Sequence, residues 1–312
     1  MIALGVANFE TRTLARISHT AIGEGLSLAR ERVLPRSDRA RRVLPRRLPK
    51  EEALLQTSLS ADFRYDRLRT GGVDIRMGRG NCFKGRQFTA EVILWAVRWY
   101  LMFPVSYRDL ELMLLDRGVE VDHTTIFRWL QAYAGELEKR IRPHLRMCNG
   151  SWRVDETYVR VKGRWTYLYR AVDSRGQTID FLLSARRDTV AAKRFFRKAL
   201  AQPHVVNPRT ITVDKNPAYP RAATEMKRDG ELWRRTRMRQ CKYLNNIVEQ
   251  DHRRIKRLVR PGLGFGAFRT ARRTLAGFEA CAMIRKGQVR NIDGRDIRAQ
   301  AIFIAGVFDT AA

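Results

Sequence analysis

No two cysteines in this 312-residue chain stand at a metal-ligand spacing: Cys82, Cys148, Cys241 and Cys281 are scattered, with no C-x-x-C and no C-x-x-H pair. That argues against a zinc site and a disulfide framework, and it suits a reducing cytoplasm. Long apolar runs are also missing. The stretch from Val92 to Val105 is broken by Arg98 and falls short of the roughly 20 residues that span a bilayer, so no membrane role is expected. Near the start, Glu10 and Arg12 stand where an export signal would need an apolar core. Acid is scarce: 32 Asp and Glu against 61 Lys and Arg leave a formal net charge of +29. With 44% hydrophobic residues the chain can build a packed core, so the charge is not that of a disordered polyelectrolyte. A folded protein so short of acid is relieved most simply by a polyanion, and nucleic acid is the expected partner. The preference for Arg over Lys, 50 to 11, is uninformative because a GC-rich genome produces it too.

Two textures follow one another along the chain. Residues 1–76 carry recurrent Arg and Pro, as in Val33-Leu34-Pro35-Arg36 and Val43-Leu44-Pro45-Arg46-Arg47-Leu48-Pro49, without sustained periodicity. They read as mostly irregular, with one short helix near Lys50–Gln56. From Phe88 the apolar spacing becomes helical. Thr89 caps a helix ended by Pro104, Ser106 caps a second that closes at Gly118, and Asp122 caps a third carrying Ile126, Leu130, Tyr133, Leu137 and Ile141. This is the outline of a helix-turn-helix, and Thr124, Arg128 and Gln131 share a face of the third helix away from its apolar stripe, where they can reach DNA. After Pro143 the period shifts to strands at Ser151–Val161, Trp165–Val172 and Thr178–Ser184. A helix capped by Asp188, a strand Thr210–Val213, a helix near Tyr219–Lys227, a polar Arg-rich segment and a last strong helix from Tyr243 complete an α/β layer with a mixed sheet.

Three acids fall where this layer could converge. Asp155 lies inside the first strand and Asp214 at the end of the fourth, positions where a carboxylate is costly unless it has work to do. On the helix from Tyr243, Leu244, Val248, Ile255 and Val259 form an apolar stripe, while Asn245, Glu249, His252 and Lys256 share another face. Glu249 can then join the two aspartates, and Lys256 lies where an approaching phosphate would run. Like charges held together resist joint ionisation, and two Mg²⁺ ions are the usual remedy. His252 reads as a helix-surface or DNA-facing residue, and Asp251 as structural. Glu156 points to the strand face opposite Asp155, while Asp173 and Asp188 have turn and cap readings; none of these is placed in the site.

The segments Phe83-Lys84-Gly85-Arg86, Glu91 to Tyr100, Ser106-Tyr107-Arg108-Asp109-Leu110-Glu111, Asp122-His123-Thr124-Thr125-Ile126, Val154-Asp155-Glu156-Thr157-Tyr158 and Tyr167 to Asp173 occur in order. They are followed by Tyr243-Leu244-Asn245-Asn246 and by Glu249-Gln250-Asp251-His252-Arg253 running on to Lys256. In these the chain resembles the bacterial DDE transposases of the insertion-sequence-six group, which form cointegrates. The resemblance implies a ribonuclease H-like catalytic domain with a mixed sheet at 147–290, preceded by an all-α helix-turn-helix DNA-binding domain at 77–146 and followed by a tail at 291–312. It puts a metal-binding catalytic triad on Asp155, Asp214 and Glu249, with a basic catalytic partner at Lys256, and implies Mg²⁺ or Mn²⁺, as two ions. Contacts to DNA are expected from His123, Thr124, Thr125, Arg128, Gln131 and Arg253. The implied reaction frees 3′-hydroxyls at terminal inverted repeats and joins them to target DNA by transesterification. A homodimer or higher homo-oligomer on DNA, in the bacterial cytoplasm and associated with the nucleoid, is the expected assembly.

Two segments depart from the family pattern. Ala280-Cys281-Ala282-Met283 stands where relatives often carry His, which reads as packing variation. Residues 1–76 match nothing in the pattern, and Met77, six residues before Phe83, lies about where relatives begin; the segment reads as an extension or an over-called start. It holds 15 basic and 9 acidic residues, so most of the positive excess belongs to the remainder. The rival readings are a helix-turn-helix regulator without catalysis, a ribonuclease H-like nuclease that cuts without joining, and a decayed transposase acting as a repressor.

Overall fold

Three capped helices lead the described part of the chain: α1, Ala90–Met102; α2, Tyr107–Leu115; and α3, His123–Ile141. The computed structural model describes residues 82–241 and 246–309, all within one compact unit. The irregular reading of 1–76, its short helix, Met77 and a helix start at Tyr243 lie outside those residues. Thr89, Ser106 and Asp122 occupy the N-caps as the sequence predicts. At α2 the capping is reciprocal: the Asp109 backbone N–H donates to Ser106 Oγ at 3.1 Å, and the Ser106 N–H to Asp109 Oδ2 at 2.8 Å. Both bonds satisfy donors that a helix start leaves unpaired. Gly118 takes φ +71° where the chain leaves α2 sharply, a backbone conformation open to glycine at little cost.

A five-stranded mixed sheet follows: β1, Ser151–Val161; β2, Arg164–Asp173; β3, Thr178–Ser184; β4, Thr210–Val213; and β5, Arg237–Gln240. Its order is β3-β2-β1-β4-β5, with β1 to β3 antiparallel and β4 and β5 running parallel to β1. Lys162 and Gly163 join β1 to β2 with φ of 50° and 73°, the two-residue turn whose twist matches the hairpin. The sequence suggests only a polar segment at β5. This short strand carries Arg237, Arg239 and Gln240 exposed at the sheet edge, so it lacks the apolar alternation that marks a half-buried strand.

The two sheet faces bury different partners. On one, Trp152, Val154, Tyr169 and Ala171 pack against Phe195 and Phe196 of α4, Thr189–Leu200, and Tyr219 and Met226 of α5, Ala218–Arg228. On the other, Val159, Val161, Leu168, Phe181 and Leu183 enter a core shared with α1 to α3. Helices α6, Asn246–Val259, α7, Phe268–Arg285, and α8, Ile297–Val307, pack on that side too. The helical and sheet segments therefore meet in one continuous core. Gly277 of α7 sits where a Cβ would come within 2.6 Å of Leu101 and 2.8 Å of Ala134, so its missing side chain lets α1 and α3 approach closely.

The sequence reading places no helix at α7 or α8, its last being the one from Tyr243. Residues Thr274 to Ile284 of α7 are buried without interruption, so no apolar stripe stands out against a polar face. The departing segment Ala280–Met283 is part of that burial. Residues 291–312, read as a tail, include α8, which Asp296 caps and whose Phe303, Ile304 and Val307 are buried with Phe308. Among the described residues no helix is long and apolar enough to cross a membrane.

Candidate active site

Asp155 and Asp214 come together through the parallel pairing of β1 with β4. Arg153 lies opposite Thr212, so two residues further on Asp155 stands beside Asp214, just past the end of β4. The third member of the cluster is Glu156, which the sequence reading excludes. Carboxylate oxygens of Asp155, Glu156 and Asp214 lie within 4.8 Å of one another. Glu156 does face the other side of β1, but the pairing with β4 ends at Arg153, and its carboxylate reaches the other two at the strand's freed edge. The α5 N-terminus fixes it: Tyr219 Oη donates to Glu156 Oε2, and Asn216 Nδ2 donates to Oε1 at 3.1 Å. Asn216 also donates its backbone N–H to Asp214 Oδ1 at 3.1 Å, so one residue orients two carboxylates.

Among the described residues a single cation bridges the cluster. Arg187, in the loop before α4, donates Nε to Glu156 and Nη2 to Asp214 Oδ2 at 3.2 Å. The Asp155 carboxyl is pushed up to about 7, first by burial and then by the negative charges of Glu156, Asp214 and Glu249. Hard, closely spaced carboxylate oxygens short of positive charge are the donor set that Mg²⁺ or Mn²⁺ takes, so these residues fit a divalent ion.

Glu249 is exposed on α6, which packs against β1 and β2, and it is near enough to raise the Asp155 carboxyl; it is not in the tight oxygen cluster. Lys256 is exposed on the same helix. His252, expected on the surface or toward DNA, is buried, with Nδ1 3.9 Å from Asp155 Oδ2. The correction follows from helix geometry: residue 252 lies about 40° around from Val248, inside the buried arc. Burial, and next the charge of Arg170, lower the imidazole to about 3, so it stays neutral. Asp251 has the structural role expected. It pairs with Arg170 of β2 at 3.1 Å and with Lys286, while Arg170 also reaches Glu279 of α7 at 2.8 Å. Asp173 accepts backbone N–H groups of its turn and Asp188 caps α4, as read.

The expected DNA-contacting residues divide. Thr124 and Arg128 are exposed and Thr125 is partly so. His123 is held by Glu111 of α2, at 3.0 Å. Gln131 turns inward instead, donating Nε2 to Thr274 Oγ1 at 3.0 Å, so it does not share the open face of Thr124 and Arg128. Arg253 is exposed and lines a basic groove with Gln250, Arg254, Arg257, Arg285 and Lys286. There Arg254 Nε and Nη2 are buried with no hydrogen-bond partner among the described residues.

Residues 149–288 match a protein family described as a DDE domain. The chain is 37% identical over 217 residues to the transposase for insertion sequence-like element IS431mec of Staphylococcus aureus, a match covering 68% of this chain and 92% of that one. The transposase for insertion sequence element IS257 in transposon Tn4003, also of Staphylococcus aureus, matches with the same identity and coverage. Among solved structures, the HTLV-2 integrase catalytic core domain in complex with magnesium is 19% identical, with a TM-score of 0.31 over 38% of this chain and 73% of that chain. The catalytic core domain of BIV integrase is 14% identical, with a TM-score of 0.32 over 42% and 81%. At such scores the assignment rests on the sequence relatives, and with 92% of each transposase spanned at 37% identity, the chain belongs to the insertion-sequence-six group of DDE transposases, a family of metal-dependent enzymes that cleave and transfer DNA strands.

Proposed function

We propose that Asp155, Asp214 and Glu249 hold the catalytic metal ions of a transposase that cuts at the terminal inverted repeats of its element and joins the freed ends to target DNA. The observation that carries this reading is the convergence of Asp155 and Asp214 beside a helix that presents Glu249. Mg²⁺ or Mn²⁺, bound there as two ions, would polarise the attacking and leaving oxygens. Asp155, Asp214 and Glu249 supply hard oxygen ligands for them. Glu156, fixed by Tyr219 and Asn216, keeps the Asp214 loop in register with β1. Lys256 lies two turns along α6 from Glu249 and pairs with the phosphate entering the site. In cleavage, water adds to phosphorus as the P–O3′ bond breaks, leaving a 3′-hydroxyl and a 5′-phosphate. In joining, that 3′ oxygen bonds to a target phosphorus while the target's own P–O3′ bond breaks, and the attacking hydroxyl's proton goes to the leaving oxygen. Each joining step makes one phosphodiester and breaks one, so no covalent enzyme intermediate is needed.

Residues 77–146 would serve as the helix-turn-helix DNA-binding domain and 147–290 as the ribonuclease H-like catalytic domain, acting as a homodimer or higher oligomer on DNA in the bacterial nucleoid. Support for DNA contact comes from exposed Thr124 and Arg128 on α3, and from the groove beside α6, where Arg254 has two buried donors without a partner among the described residues and exposed Arg253 can meet a phosphate. The test is purified protein with labelled inverted-repeat DNA and Mg²⁺ or Mn²⁺, scored for both reactions. Cleavage and joining that vanish together in Asp155→Asn are expected. Binding without either reaction, unchanged by Asp214→Ala, would make the protein a regulator, and cleavage without joining would make it a nuclease.

A further inference from the structure

The tip of the β1–β2 hairpin carries an aromatic surface that the cluster chemistry leaves unused. Tyr158 is 45% exposed and Trp165 61%, values unusual for rings of this size on an otherwise well-packed sheet. The register sets Tyr158 opposite Tyr167 and Arg160 opposite Trp165, so all four side chains share one face. Ring centroids of Tyr158 lie 6.3 Å from Trp165 and 5.4 Å from Tyr167, and the Arg160 guanidinium sits 5.6 Å above the Trp165 ring. This is the face of Glu156, two residues earlier and so about 7 Å along the strand. Asp155 faces the other side of β1, so among the cluster's carboxylates it is Glu156, held by Arg187 together with Asp214, that the rings follow along this face.

The backbone beneath them is braced. Along the edge of β1 away from β2, the Phe265 N–H donates to Arg160 O at 2.9 Å and the Lys162 N–H to Phe265 O at 2.8 Å. Gly264, at φ +111°, passes so close that a Cβ would meet Arg160 O at 2.8 Å. The surroundings are cationic. From Thr157 to Leu168 the hairpin holds Arg160, Lys162 and Arg164, all exposed, and no acid. Exposed aromatics interleaved with cations are what a single nucleic-acid strand requires, since bases stack on rings while phosphates pair with the guanidinium and ammonium groups. An apolar protein partner would find three fixed charges in its way.

We propose that Tyr158, Trp165 and Tyr167, with Arg160, form a stacking platform for unpaired bases of the DNA strand leaving the catalytic carboxylates. The proposal rests on the strand-transfer reading of that site and adds a strand-specific contact to it. The platform would favour DNA ends whose terminal bases are splayed, and would hold the strand in line with the cluster.

The experiment compares binding of the full chain to blunt inverted-repeat duplex and to the same duplex with a short single-stranded tail containing 2-aminopurine. Wild type is expected to favour the tailed end and to change the probe's fluorescence on stacking. In the Tyr158→Ala/Trp165→Ala double variant the tailed-to-blunt affinity ratio should fall roughly tenfold or more. Trp165→Phe, which keeps a ring, should retain most of the preference. An unaltered ratio and probe signal in the double variant, alongside intact cleavage and joining, would overturn the platform alone. A change in oligomer mass with no change in the ratio would overturn it in favour of a second copy of the chain. Failure of the wild type to bind either DNA would overturn both the platform and the strand-transfer reading.

Discussion

Two groups of buried or half-buried carboxylates lie on either side of Arg170 and differ in their charge balance. In the first, Asp251 and Glu279 face Arg170 and Lys286, two acids against two cations, and the four tie β2 to α6 and α7. In the second, among the described residues Arg187 is the one cation paired with the cluster, through Glu156 and Asp214, while Asp155 sits beside them and Glu249 adds further negative charge. A balanced cluster is complete when the chain has folded. An unbalanced one is complete only when something positive arrives, and until then burial first, and the neighbouring negative charges after it, hold the Asp155 carboxyl up. Charge balance, more than acidity, separates the structural cluster from the chemical one.

The contrast breaks most sharply under substitution. Asp214→Ala should lower cleavage and joining by on the order of 10³-fold or more, measured on labelled repeat DNA, and leave urea unfolding nearly as in wild type. Arg170→Ala should do the reverse in kind. It strands Glu279 and weakens the hold on Asp251, costing about 3–5 kcal/mol in urea unfolding. If the two variants gave the same pattern, the division between the clusters would fail.

Acidity sharpens the difference. In metal-free protein Asp155 keeps a proton that the unfolded chain releases near pH 4, so its contribution to stability falls as pH rises from about 4 through about 7. The loss reaches at most about 4 kcal/mol. Asp155→Asn removes it, so in chelator the variant should gain on wild type across that window. His252 works in the opposite direction, because a neutral buried imidazole loses stability as pH falls below about 6.5. That loss is common to both proteins and leaves the difference intact. A gap that does not widen between pH 4 and 7.5 would remove the account of a carboxyl raised by burial and like charge. The smallest effect belongs to Glu156→Gln, which keeps shape and weakens orientation; a 10- to 100-fold lower Mn²⁺ affinity is expected by calorimetry.

Much of this was legible in the sequence. The bounds of β1, β3 and β4 match their apolar and β-branched runs, and Thr89, Ser106, Asp122 and Asp188 announce four helices by cap chemistry. The nearness of Asp155 to Asp214 follows from strand positions and the parallel pairing. What stayed hidden depends on neighbours. Glu156 enters the cluster because β4 is short, which no alternation along β1 reveals. His252 is buried because the apolar arc of α6 is wider than four residues suggested. Gln131 turns inward to a hydroxyl on α7, a helix whose all-round burial erased its own period.

Mn²⁺ titration calorimetry at pH 6.5, in two buffers of different protonation enthalpy, tests the central claim most directly. Wild type should bind Mn²⁺ and release a proton as Asp155 ionises, while Asp155→Asn and Asp214→Ala lose the binding. Mn²⁺ bound equally well by all three proteins, without proton release, would contradict the account.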